Sequence, residues 1–442
     1  MATKPKPVIT NPRLIAVRAL RKIVSGAGSL DRLLAADQLP SEMRPLIHEL
    51  VYGVLRHYFS LTYVVKQHLR SPLRKKDTDI HCVLLLGAYQ LIHMRTPAYA
   101  AVNESVVLTK ALRKPWARAM INAILRNISR QQDAGESANI TDQMPDEARY
   151  DHPQWMIDRF RRAYPDHWED ILHINNTRAP LALRINLSLG NRDNYLQILT
   201  SAGHTAHPGS SRAAVKLDTA TNAQSLPGWH DGLVSVQDEG AQQLSEIIKL
   251  EPGTRVLDAC AAPGGKSLLV IEQNPGICLT ALDVDSKRLA RIDEEAIRLK
   301  LNTPQTLSGD ATELSWWQDK NCFDYIILDA PCSGSGTIRR HPDIKLLKLD
   351  KDINKFNELQ LQLLHNLWAT LSEGGTLLYA TCSIFPEEND LVIKSFLAQT
   401  NNARARPVKL VDGQSTALGR QLLPQEGGHD GFYFSLLKKQ IP

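Results

Sequence analysis

Apolar residues in the first third of the chain recur at helical intervals. Leu14, Val17, Leu20 and Val24 form one stripe, and Arg13, Arg18, Arg21 and Lys22 fill the other faces. Further apolar stretches lie at 46–55, 61–69, 83–92, 102–112 and 117–128. Breakers at Pro40, Ser71-Pro72 and Thr96-Pro97 separate them. The pattern predicts an all-helical domain over residues 1–140. Residues 131–145, rich in Gln, Asp, Gly, Ser and Asn, have no apolar period and read as a linker. From 145 to 233 the pattern is mixed, with helices expected at 155–164 and 191–201 and an alternating strand at 181–187. That segment reads as a small α+β linker domain.

From 234 to 442 the period changes again. Strands are expected at 255–258, Cys278–Asp283, 305–307, Phe323–Asp329 and 375–381, and a late one at 431–436. Helices are expected at Gly265–Gln273, 287–301, 354–371 and 387–398. Alternation of this kind predicts an open, mostly parallel α/β sheet of Rossmann type with helices on both faces. No internal repeat or heptad run is present.

Composition narrows the class without naming it. The chain is 43% hydrophobic and 22% charged, an ordinary globular balance. No apolar run approaches the ~20 residues of a membrane span, and no apolar stretch follows the basic start Met1–Pro7 as a secretory signal would require. Six cysteines without regular spacing argue against a disulfide framework and for a reducing, cytoplasmic setting. No Cys-x-x-Cys pair is present, so no structural metal is expected. Charge is more telling. Residues 1–140 carry 21 Lys and Arg against 9 Asp and Glu, a net of +12, while the remainder carries 31 against 38, a net of −7. A basic helical module on an acidic body points to a polyanion such as nucleic acid. The competing reading is a solvated helical surface with incidental charge.

Two cysteines stand at the ends of expected strands. Cys332 lies in Asp329-Ala330-Pro331-Cys332, and Cys382 in Ala380-Thr381-Cys382-Ser383. In a parallel sheet, residues just past the strand C-termini face the ligand crevice. Two thiols and a carboxylate meeting there suit covalent attack on an electrophilic ring carbon, followed by proton removal. The first strand–helix turn, Asp258-Ala259-Cys260-Ala261-Ala262-Pro263-Gly264-Gly265-Lys266, has the small residues that let backbone approach a ligand. It is neither the dinucleotide fingerprint nor a Walker loop. Asp258, Asp283, Asp310 and Asp329 all end strands. Asp283 is placed to bond ribose hydroxyls and Asp310 to reach an adenine amino group. So many carboxylates disfavour a phosphate-bearing cofactor and favour a cationic one, S-adenosyl-L-methionine. Taken singly, each Asp would read as a helix cap.

The segments 258–266, 329–332 and Thr381-Cys382-Ser383 together resemble the Sun-type RNA (cytosine-5)-methyltransferase family. The resemblance covers most of residues 180–437. Leu183-Arg184-Ile185-Asn186 is similar to that family's upstream RNA-side motif, Val234–Glu239 to the segment before the cofactor loop, and Gly427–Tyr433 to its terminal motif. The basic helical N-terminus resembles the NusB-type RNA-binding fold. The combination resembles the bacterial Sun/Fmu branch, which implies methylation of small-subunit (16S) ribosomal RNA.

Spacing alone does not decide which cysteine attacks. The resemblance implies that Cys382 is the nucleophile at cytosine C6, that Cys332 assists at the C5 proton and product release, and that Asp329 holds the cytosine N3 and N4 edge. It also implies a cofactor site formed by Cys260, Ala261, Ala262, Pro263, Gly264, Gly265, Lys266, Asp283, Asp310 and Asp329. Chemistry at C5 requires an unstacked or single-stranded base. Arg339, Arg340 and His341 are candidates to hold phosphates, and Trp316-Trp317 to stack bases, with core packing the stronger reading for the tryptophans. Cys82, Cys278 and Cys322 read as small core residues. Two rivals stay open: a transfer-RNA methyltransferase with the same core, and a non-catalytic ribosome assembly factor. A monomer with no membrane partner is the default expectation.

Overall fold

The computed structural model describes residues 11–34, 39–134, 144–317 and 322–441. Most of the linker expected at 131–145 therefore lies outside the described residues. The chain divides into two compact units, residues 1–177 with 338–350, and residues 178–337 with 351–442.

The first unit is helical. Its main helices are α1 (Pro12–Val24), α2 (Arg44–Arg56), α3 (Tyr58–Gln67), α4 (Thr78–Ile92), α5 (Ala98–Ala111) and α6 (Arg118–Asp133), followed by α7 (Gln154–Ala163) and α8 (Trp168–Asn175). Asn11 caps α1 by accepting from the Arg13 and Leu14 amides. The stripe Leu14, Val17, Leu20 and Ile23 is buried, as the pattern predicts. Helix α4 is apolar nearly all round, and Ile80 to Gln90 is almost wholly buried except His81, so it forms the centre of the bundle. Segment 338–350 returns to this unit from far along the chain, and Leu346 and Leu347 pack against its core.

The second unit holds two sheets. The smaller is antiparallel, in the order β2 (Ala206–Pro208), β3 (Ala214–Leu217), β1 (Leu181–Ile185), β4 (Val234–Val236). Tyr195 and Leu199 of the helix Arg192–Ser201 cover one face. The larger sheet runs β11 (Gln414–Ser415), β12 (Arg420–Leu422), β13 (Phe432–Lys439), β9 (Leu371–Thr381), β8 (Phe323–Asp329), β5 (Arg255–Ala259), β6 (Cys278–Asp283), β7 (Gln305–Ser308), with β10 (Ala403–Arg406) also on β13. Strands β9, β8, β5, β6 and β7 are parallel, and β13 is antiparallel to β9. Two apolar clusters fill the two faces. The chain order reverses at β5, where β6 and β7 lie on one side and β8 and β9 on the other. That is the switch point at which such sheets open a crevice.

The expected Rossmann-type sheet is present, but one boundary differs. The helix Asp352–Thr370 runs directly into β9 at Leu371, whereas the pattern places the strand start at 375. Gly374 takes a φ of +71° there, and the pairing with β8 shifts between Phe323 and Tyr325. A glycine that accepts the left-handed region lets the chain absorb this irregularity without ending the strand.

Candidate active site

Register brings the two cysteines together. Asp329 at the end of β8 pairs with Ala380 of β9. Cys332 is three residues beyond the first and Cys382 two beyond the second. The Ala330 amide donates to the Ala380 carbonyl at 2.8 Å and the Gly336 amide to the Cys382 carbonyl at 2.9 Å, which closes the two loops on each other. The sulfurs stand 3.5 Å apart, each half-buried. The hydrogen bond to Cys382, then burial, pushes the Cys332 thiol well above its ordinary range.

A buried carboxylate that the sequence did not single out clamps both loops. Glu388 accepts from the Ser333 amide at 2.7 Å, the Ser333 hydroxyl at 2.5 Å and the Ser383 hydroxyl at 2.5 Å. Ser333 and Ser383 are the residues immediately after the two cysteines. Asn389 continues the brace, accepting from the Thr381 hydroxyl at 2.6 Å and donating to the Ser383 carbonyl at 2.9 Å. Burial raises the Glu388 pKa, and the hydroxyl bonds from Ser333 and Ser383 oppose that rise. In sequence, Glu387-Glu388 looks like the acidic first turn of a helix. Here Pro386–Glu388 is a separate 3-10 turn and the helix begins at Asp390.

Lys266 Nζ lies 2.5 Å from Asp329 Oδ2 and 5.6 Å from the centre of the Phe432 ring. Burial alone would lower its pKa; Asp329 first, and Cys382 among the others, outweigh this and raise it. An ammonium next to Cys382 favours a thiolate there. The Asp258 carboxyl is pushed up to about 7 by burial, although it accepts from the Ser267 hydroxyl at 2.5 Å.

A cavity of about 490 Å³ opens at the strand ends, and Cys260, Ala262, Asp283, Asp310, Asp329, Cys332 and Cys382 all line it. Asp283 accepts from the Ala262 amide at 3.0 Å and the Asp285 amide at 2.9 Å, which ties the first turn to the second. Asp310 accepts from the Thr312 amide and hydroxyl. Val284 projects at the cavity, 67% exposed, and gives an apolar wall beside the two carboxylates. Burial first, and then Asp329, Asp283, Asp258 and Asp310, pushes the Cys260 thiol up, a measure of the negative potential in the cavity. Arg288 lines the wall and donates to the Ala262 carbonyl.

The rest of the expected turn does not line the cavity. Ala261 is buried behind it, Pro263 and Gly265 border a different hollow, and Gly264 has a φ of +98° with Ile292 2.8 Å from where a Cβ would stand. Gly264 therefore needs both its conformational freedom and its missing side chain. Arg184 of the expected RNA-side motif is buried, donating to the Gly265 carbonyl at 2.9 Å and to Gln237 Oε1 at 2.7 Å, with Glu272 3.3 Å from its Nε. It braces the cofactor turn. The motifs at 234–239 and 427–433 meet, the Asp430 amide donating to Asp238 Oδ1 at 3.1 Å.

Other candidates fall elsewhere. Arg339 is only 1% exposed and belongs, with Arg340 and His341, to the helical unit, where the Arg339 carbonyl accepts from Arg56. The Arg339 side chain is buried, while Arg340 and His341 are partly exposed. Trp316 packs in the core and donates to the Glu313 carbonyl at 2.8 Å. Cys82 is buried as expected, but Cys278 is exposed at the first position of β6. Among the described residues no group of His, Cys, Asp and Glu is arranged to hold a metal, and no helix is long and apolar enough to cross a membrane.

Comparison with known proteins gives the family and the fold. Residues 245–438 match the family described as 16S rRNA methyltransferase RsmB/F, residues 10–130 the NusB family, and residues 152–224 the ferredoxin-like domain of RsmF/B-like methyltransferases. The chain is 42% identical to ribosomal RNA small subunit methyltransferase B of Pseudomonas putida over 97% of its own length and 98% of that protein's. It is 42% identical to the Vibrio cholerae protein of that name over 98% of both chains. Among solved structures, PH0851 superposes with a TM-score of 0.80 at 22% identity, covering 98% of this chain and all of that one. NSun6 from Pyrococcus horikoshii with SFG superposes with a TM-score of 0.59 at 15% identity, covering 66% of this chain and 99% of that one. Both are likenesses of fold.

Proposed function

The chain belongs to the 16S rRNA methyltransferase RsmB/F family, and from that premise we propose that it transfers a methyl group from S-adenosylmethionine to C5 of a cytosine in 16S ribosomal RNA. The observation that carries the reading is the pair of sulfurs 3.5 Å apart beside Asp329, at the mouth of an acid-lined cavity. Such a pair has no use in simple methyl transfer to an exposed oxygen or amine. It suits a carbon that must first be made nucleophilic.

The cavity residues fit the methyl donor. Asp283 and Asp310 offer acceptors for ribose hydroxyls and an adenine amine, Val284 offers an apolar surface to a ring, and the negative lining suits a sulfonium. That cofactor would supply the methyl group as an electrophile. The similar NSun6 structure was solved with SFG, an S-adenosylmethionine analogue.

The protein's part is addition, holding and elimination. The Cys382 thiolate, favoured by Lys266, forms a bond to cytosine C6 and places electron density on C5. Asp329 holds the N3 and N4 edge of the base. After C5 is methylated, its proton must leave and the C6–S bond must break, which returns the Cys382 thiolate and the aromatic ring. Cys332, 3.5 Å from Cys382, is assigned to this second half: its sulfur, as a thiolate, accepts the C5 proton, the C5–H electron pair closes the C5=C6 bond, and the C6–S pair returns to Cys382. The test is transfer of labelled methyl to deproteinised 16S ribosomal RNA and, in parallel, to bulk transfer RNA, followed by nucleoside analysis. Label recovered as 5-methylcytosine from 16S RNA is expected. Label in transfer RNA alone would move the substrate, and label at another atom would end the mechanism.

A further inference from the structure

The helical unit carries a groove between α5 and α6 whose walls hold two large exposed rings. Tyr99 is 80% exposed and Trp116 52%. They share a hollow of about 540 Å³ with Asn103, Asn122, Arg118 and Arg126. Arg126 Nε donates to Asn122 Oδ1 at 3.0 Å, so the guanidinium and an amide stand together on one wall. Trp116 also lines an adjoining hollow under the loop that carries Arg70 and Arg74. Within residues 98–130 six basic residues face one acid, Glu104, and that acid pairs with Arg13 at 3.8 Å.

We propose that this groove binds single-stranded RNA by stacking unpaired bases on Tyr99 and Trp116, with Arg118 and Arg126 meeting the phosphates. The proposal rests on the reading of the protein as an RNA methyltransferase and adds the place where it grips RNA away from the reacting base. Aromatic rings interleaved with arginines are what sequence-tolerant single-strand binding requires, because every base offers a flat face. A recessed, ring-walled groove accepts unpaired bases, whereas a duplex presents only backbone and a shallow groove. A protein partner would favour a centre depleted of charge, and here the arginines line the same hollow as the rings.

The test uses the full-length chain and a fluorescein-labelled, unstructured RNA oligonucleotide, with a duplex of the same sequence as comparison, read by anisotropy. Tyr99→Ala and Trp116→Ala are each expected to weaken single-strand binding about 5- to 150-fold, the range for loss of one stacked base. Trp116→Phe is expected to restore most of it, and duplex binding to stay within twofold. Val411→Ala, at an exposed position that lines neither the groove nor the reaction cavity, is expected to bind as the wild type does. Unchanged single-strand affinity in both alanine variants would overturn the proposal. So would an equal loss for strand and duplex, which signals charge or folding. Normal RNA binding with methylation lost only on ribosomal particles would overturn it in favour of a protein dock. If the wild type methylates 16S RNA while the groove variants bind normally, only this inference falls. If the wild type methylates no RNA yet the groove variants lose binding, the catalytic reading falls and the groove stands.

Discussion

The two units handle buried polar groups in opposite ways. In the helical unit such groups close on themselves. Lys345 is buried, and its Nζ donates to the Arg56 carbonyl at 2.7 Å, the Asp151 carbonyl at 2.8 Å and Asn176 Oδ1 at 3.0 Å. Asp151 in turn accepts from the Ser60 amide and hydroxyl and sits 3.2 Å from His57 Nδ1. These bonds satisfy groups and pin the inserted segment 338–350. In the methyltransferase unit the buried network stops one atom short. Glu388, Asn389, Ser333 and Ser383 are bonded inward, and the groups they position, two sulfurs and Asp329, face a cavity. The difference teaches where chemistry is found: at the end of a satisfied network that leaves reactive atoms facing a ligand.

The largest expected effect breaks the network at its open end. Cys382→Ala is predicted to lower methyl transfer about ten-thousand-fold or more, the usual scale for removing a nucleophile, with little change in thermal stability. Turnover assays beside a melting curve check it, and substantial residual turnover would remove Cys382 from the covalent step. The next effect breaks the brace. Glu388→Ala leaves the donors of Ser333 and Ser383 without their acceptor and is predicted to cost about 3 kcal/mol of stability. Displacing the sulfurs should slow methyl transfer about 100-fold. Urea unfolding and turnover check both numbers, and a stable variant with full activity would show that the clamp positions nothing.

The brace also marks the limit of what could be read from the chain. Cys332, Cys382 and the strand-end Asp residues were legible because they follow apolar runs of strand length, and a parallel sheet sends such positions to one crevice. Their closeness follows from the register of β8 on β9. The left-handed φ of Gly264 was not part of that reading, which took the glycines of the turn only as room for a ligand, and neither Gly264 nor Gly265 lines the cavity. Glu388 was not, since one of its partners lies 55 residues away and its own neighbours form an acidic run that looks like a helix start. Lys345 was illegible too, because its acceptors lie up to 289 residues away and nothing local distinguishes a buried lysine from a solvated one. Arg184 and Arg339 mislead for the converse reason: arginine next to a motif suggests RNA, and both are buried.

The closed network of the helical unit makes a smaller, pH-dependent prediction. Burial first lowers the Lys345 pKa from 10.5 to about 7, with Asp151 opposing and Arg56 adding to the drop. Between those values the unfolded chain binds more protons than the folded one, so stability from this group rises with pH from about 7 towards 10.5. Below about 7 both states are protonated and the group adds no slope. Lys345→Met is predicted to cost about 1–3 kcal/mol by stranding three acceptors and to remove that rise. Urea unfolding of both proteins at pH 7 and pH 9 measures it, and parallel behaviour would contradict the burial argument. The smallest effect is at the surface of the same unit. Asp146 pairs with Arg161 at 3.0 Å with both side chains more than a third exposed. Asp146→Asn should change stability by less than about 1 kcal/mol; a larger loss in the same unfolding assay would mean that the pair is less solvated than it looks.

The division of labour between the two sulfurs is tested most directly by trapping. Cys332→Ala, incubated with 16S ribosomal RNA and S-adenosylmethionine and run on a denaturing gel, is predicted to accumulate a covalent protein–RNA adduct, because Cys382 can add to C6 but release is impaired. Cys382→Ala and the double variant are predicted to give none. An adduct in Cys382→Ala instead would exchange the roles of the two thiols, and no adduct in any variant would contradict covalent catalysis at this site.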